Sequence, residues 1–76
     1  MIIFVTTCSH RYTNNAIAKA LPFVRQEVYP LLFARRSLPK ATYIFTDFDR
    51  LNFWQREYAA HVFRQLSAAG CRVLND

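Results

Sequence analysis

Three short runs rich in β-branched and aromatic residues punctuate this chain: Ile2-Ile3-Phe4-Val5, Ala41-Thr42-Tyr43-Ile44-Phe45-Thr46 and Cys71-Arg72-Val73-Leu74. Between them lie stretches of helical periodicity. The runs stay apolar instead of alternating, which suits strands covered on both faces of a mostly parallel sheet. Strand–helix–strand alternation implies right-handed crossovers with helices packed on that sheet. The expected fold class is therefore α/β, a small three-layer domain with a mostly parallel sheet of three to four strands.

The first helix is expected from Thr13 to Leu21. Thr13 or Asn14 can cap it, Ala16, Ile17, Ala20 and Leu21 recur at helical spacing, and Pro22 stops it. Residues 23–40 are the least legible: Phe23-Val24 and Val28-Tyr29 suggest short strand pieces and Leu31 to Ala34 a helical turn, before Pro39 breaks the chain. After Asp47-Phe48-Asp49-Arg50, either Asp49 or Asn52 can cap a helix of about five turns. Its apolar stripe is expected at Trp54, Tyr58, Val62, Leu66 and Ala69. Gly70, the only glycine, falls where a left-handed residue closes a helix.

With 76 residues, 53% of them hydrophobic and 20% charged, the chain is a single folding unit and not a disordered tail. Its two cysteines, Cys8 and Cys71, give no disulfide framework, so reduced thiols and a cytoplasmic location are expected. Met1 to Val5 is too short for a membrane span and has no charged lead-in of the signal-peptide kind, so no membrane partner is expected.

The net charge is +5, and half of the ten cations (Lys19, Arg25, Arg35, Arg36, Lys40) fall between 19 and 40, opposed there by Glu27 alone. A stretch of this kind is most often a solvated face. The alternative is a small interaction module binding nucleic acid or an acidic partner through residues 19–40. No base-reading motif accompanies the charge, so nucleic acid is not the expected partner.

Ligands of open parallel sheets collect beyond the carboxyl ends of the strands. Two loops occupy that position. One is Thr6-Thr7-Cys8-Ser9-His10-Arg11-Tyr12, and the other is Thr46-Asp47-Phe48-Asp49-Arg50. Thr7, His10, Arg11, Asp47, Asp49 and Arg50 are therefore the expected substrate-binding residues, with His10 and Arg11 suited to an anionic group. Set against this are plain loop roles, with Asp49 capping the long helix and Asp47 paired to Arg50 or Arg11.

Catalytic readings are weaker. A cysteine-phosphatase loop needs arginine six places after its cysteine, where this chain has Asn14. Cys8 and His10 stand too close on one short loop to reach a thiolate–imidazolium geometry readily. Asp47-x-Asp49 is similar to the nucleophile loop of haloacid-dehalogenase-type phosphatases, but Leu51 replaces the expected Thr or Val and the strand is not the first. Metal-ligand spacing is lacking among Cys8, His10, His61 and Cys71, and one glycine cannot build a phosphate-cradling loop. No catalytic residue, cofactor site or metal site is expected in these 76 residues.

Tyr43 to Leu51, followed by a helix and then Ala69-Gly70-Cys71-Arg72-Val73-Leu74-Asn75-Asp76, resembles the N-terminal, Rossmann-like domain of bacterial ATP-grasp-type proteins. Gly70, Val73 and Asn75 match the Gly-x-x-Val-x-Asn strand that closes that domain. The resemblance implies a parent enzyme that uses ATP and magnesium to join a carboxylate to an amine or thiol through an acyl-phosphate. It places ATP and magnesium in later domains of the same chain and this module, residues 1–76, on the acceptor-substrate side. The loops at Thr7 to Arg11 and Asp47 to Arg50 would then lie at the mouth of a shared cleft with a small-molecule substrate. The sequence stops directly after its last strand, which predicts a domain incomplete on its own. Continuation beyond Asp76 is the first expectation, and a homodimer through that edge is the other.

Overall fold

Residues 1–8 and 19–75 are described by a computed structural model of the chain. Ile2–Thr6 forms strand β1, and its two sides pair in parallel with β2 (Val24–Val28) and β3 (Thr42–Phe45). Strand β4 (Val73–Asn75) adds to β3, also in parallel, giving the order β2-β1-β3-β4. The sheet is thus four-stranded and all parallel, and the fold is α/β. Of the expected first helix, Lys19 and Ala20 are helical and residues 13–18 lie outside the described residues, so the third layer is not among them.

The steep part of the topology is the return from β2 across β1 to β3. Helix α1 (Tyr29–Ala34) follows β2, and helix α2 (Phe53–Ala68) carries the chain on from β3 to β4. Both connections step across the sheet in the same direction, so right-handed crossovers place both helices on one face. They meet there, with the rings of Phe33 and Tyr58 4.7 Å apart.

Beneath them the strand pleat selects the core. Ile3 lies beside Tyr43 and Val5 beside Phe45 in the parallel register, so all four share the helix-facing side and all four are buried. Tyr29 and Leu32 come down from α1, Ala59, Val62 and Leu66 from α2, and Leu51 from the turn between β3 and α2. Phe45 is the hub: its ring meets Tyr29 edge-on at 6.0 Å, Phe63 edge-on at 5.4 Å and Phe48 stacked at 6.3 Å. Such ring pairs add to the burial of apolar area that dominates folding.

Local signals set the ends of α2. Asn52 is its cap: the side chain accepts from the Gln55 amide at 2.8 Å, and the Gln55 side chain accepts from the Asn52 amide at 3.1 Å. Asp49, the other expected cap, lies instead in a 3-10 turn, Phe48–Arg50. At the far end Gly70 has φ +90°, a conformation costly for any residue with a Cβ.

The expected stripe of α2 is corrected at both ends, since Ala69 is its exposed C-cap residue and its start turns away from the sheet. Trp54 is 77% exposed and Tyr58 50%, while the buried residues are Ala59, Val62 and Leu66. Four residues advance a helix by about 400°, so a strict spacing of four drifts around the axis by about 40° each step. A stripe that faces the sheet at Leu66 has therefore rotated away from it by Trp54.

This geometry separates two aromatic substitutions. Phe45→Ala should cost about 3–5 kcal/mol, comparable with the total stability of a domain this small. Trp54→Ala should change it by no more than about 0.5 kcal/mol. Urea unfolding of the two variants measures both, and a large loss in Trp54→Ala would return that ring to the core.

Candidate functional site

The direction of the chain reverses at β1: β2 lies on one side of it and β3 on the other. In doubly wound sheets, the carboxyl ends of two such strands diverge into a crevice where ligands bind. Here those ends are Thr6-Thr7 and Thr46-Asp47.

The two ends are stitched together by an unusual density of hydrogen bonds. Thr46 donates twice to the Val5 carbonyl, from its amide at 2.9 Å and its hydroxyl at 2.8 Å. Asp47 Oδ2 accepts three: the Thr6 hydroxyl at 2.9 Å, the Thr7 hydroxyl at 2.9 Å and the Thr7 amide at 3.2 Å. Thr6 is fully buried, so its hydroxyl requires a partner, and a carboxylate is a strong one. Asp47 reaches back to β1 from a left-handed backbone, φ 57° and ψ 26°, the single positive φ among the described non-glycine residues. Aspartate tolerates that region better than most residues.

Tyr29, at the start of α1, closes the network by donating to the Thr46 carbonyl at 2.6 Å. Burial, and secondarily the negative charge of Asp47, hold the Tyr29 phenol well above its ordinary pKa. Both effects disfavour the phenolate.

Over this network lies a cavity of about 270 Å³, lined by Thr7, Cys8, Tyr29, Pro30, Arg50, Leu51 and Gln55. Thr7 and Arg50, both expected from the sequence, are brought to it. Asp47 sits behind the lining and positions Thr7. Asp49 is exposed on the turn and does not line the cavity. His10 and Arg11 lie outside the described residues. Tyr29 and Gln55 were not foreseen; the signal for Tyr29 was its place directly after a strand's carboxyl end.

The lining suits a small polar ligand carrying a negative group: Arg50 supplies the charge, and Thr7 and Cys8 supply short polar side chains. No group of three or more His, Cys, Asp or Glu side chains stands together among the described residues. Both cysteines are free thiols, Cys8 exposed and Cys71 half-buried.

The cations of the basic stretch from 19 to 40 fall in two groups. Lys19 and Arg25 are exposed, and Arg35 is held by Glu27 in a two-pronged pair at 2.7 and 3.0 Å. Arg36 and Lys40 border a separate cleft between the helices. Among the described residues, no helix is long and apolar enough to cross a membrane. Comparison with protein families, curated proteins and solved structures finds no match to the chain.

The Tyr29 phenol gives a signed prediction. The folded chain keeps this proton where an unfolded tyrosine, with its pKa near 10.0, has lost it. The contribution is therefore complete below pH 10 and is lost as pH rises above it. Tyr29→Phe should cost about 1 kcal/mol at neutral pH, from the lost bond to Thr46. It should also flatten the alkaline fall in stability, part of which remains because burial raises the Tyr43 phenol as well. Denaturant titrations across the alkaline range check this; parallel curves for variant and parent would contradict it.

Proposed function

We propose that this chain is the substrate-side α/β module of an ATP-grasp-like ligase, one that joins a carboxylate to an amine or thiol. In this reading it scaffolds the ATP-binding domains of its parent enzyme and presents the crevice above β1 and β3 to the acceptor. In this reading ATP and magnesium bind elsewhere in the parent.

One observation carries the reading. The element Thr46-Asp47-Phe48-Asp49-Arg50-Leu51, which bears the resemblance to ATP-grasp N-terminal domains, is also the element that builds the crevice. Asp47 ties it to β1, and Arg50 and Leu51 form part of the cavity wall. The second resembling segment, from Gly70 to Asn75, leads into β4 beside β3. The two segments are thus neighbours in the fold. Arg50 is the side chain assigned to an anionic group of the acceptor, and Thr7 the one assigned to a neighbouring polar group.

Removing charge at Arg50 tests this without disturbing the fold, because the side chain is exposed. In the native protein carrying this chain, Arg50→Gln should raise the acceptor KM about tenfold, the loss of one charge-assisted contact. The affinity for ATP with magnesium, measured by calorimetry, should be unchanged. An equal loss of both, or the absence of ATP binding by the native protein, would reject the reading.

A further inference from the structure

On the helix face of the sheet, away from the crevice, α1 and α2 diverge around a cleft of about 350 Å³. Its floor is apolar: Leu32, Leu38, Val62 and Leu66, with the Tyr58 ring at one side. Its rim is the loop after α1, which brings Arg35, Arg36 and Lys40 to the same opening. No Asp or Glu lines it among the described residues. Arg35 is already neutralised by Glu27, whereas Arg36 and Lys40 have no ion pair among the described residues. The cleft thus has an apolar floor, polar walls that include Ser37 and Gln65, and two uncompensated cations at its mouth.

We propose that this cleft binds a small amphipathic anion, with an aliphatic or aromatic body in the slot and a carboxylate head against Arg36 and Lys40. Charge complementarity selects the head group. Size selects a small molecule over a docked protein segment, because the volume lies at the lower end of ligand pockets, about 300–1,000 Å³. A stable protein interface would need about 800 Å² from this side. The cleft shares no lining residue with the crevice above β1 and β3, so the proposal stands independently of the ligase reading.

The half-buried thiol of Cys71 also lines this cleft, while the exposed thiol of Cys8 lines the other cavity, so the protein carries its own reporter and control. The native protein is treated with N-ethylmaleimide in the presence of decanoate, decanol or decylamine, and alkylation at each cysteine is followed by peptide mass spectrometry. Decanoate at about ten times its Kd should slow Cys71 modification about tenfold, the factor expected for simple occupancy, and leave Cys8 unaffected. Decanol and decylamine should protect at least several-fold less. The double variant Arg36→Gln, Lys40→Gln, altered only at exposed positions, should lose the advantage of decanoate over decanol. In Ala69→Trp, which fills the cleft from an exposed position, Cys71 should be shielded without ligand. No protection of Cys71, equal protection of Cys8, or equal protection by all three amphiphiles would overturn the proposal. So would protection seen only with an acidic amphipathic peptide, which would make the cleft a protein-docking surface.

Discussion

The arrangement at the top of the sheet depends on the bonds that Asp47 makes to Thr6 and Thr7. Parallel strands leave their carboxyl ends side by side but do not fix the loops beyond them. Here a single carboxylate oxygen receives two hydroxyls and an amide from the end of the neighbouring strand, Thr6 and Thr7, which ties the Asp47 loop to β1. Hydrogen bonds to an ionised acceptor contribute about 1.5–3 kcal/mol each, more than neutral pairs. That gain offsets the left-handed backbone Asp47 must adopt to reach β1. The 3-10 turn, the exposed position of Asp49 and the placing of Arg50 in the cavity wall all follow from where Asp47 is held.

Much of the architecture is legible in the amino-acid sequence because local and global signals agree. The β-branched runs at Ile2 and Thr42 become the two central strands, and Asn52 and Gly70 mark the ends of α2 through capping chemistry that needs no tertiary context. Strand β2 is harder to read. Its sequence, Val24-Arg25-Gln26-Glu27-Val28, is polar at its centre, as an edge strand permits, and only its pairing to β1 makes it a strand. The aromatic start of α2 misleads for a different reason: regular spacing in sequence is not regular facing on a helix of 3.6 residues per turn.

Both loops were expected at the carboxyl ends of strands, facing a shared crevice should those strands be neighbours. Strands β1 and β3 are neighbours, Thr7 and Arg50 line one cavity, and Asp47 is bonded to Thr7. What the sequence did not reveal is the division of labour: Asp47 organises, Arg50 faces the cavity, and Asp49 does neither. Such roles depend on one backbone dihedral and on strand register, neither of which leaves a mark in composition. Tyr29 was hidden for the same reason as β2, since its role exists only once the strand before it is in place. The proposed ligase reading rests on where the Thr46–Leu51 element lies in the fold, beside the crevice.

That reading has a spatial consequence: ATP binds the parent enzyme outside this module. The most direct measurement is photolabelling of the native protein with 8-azido-ATP in the presence of magnesium, with the labelled peptides identified by mass spectrometry. The account predicts ATP-competed label exclusively in peptides other than those of residues 1–76. Competed label within these residues, or a native protein of 8.9 kDa with no room for an ATP-binding core, would contradict it.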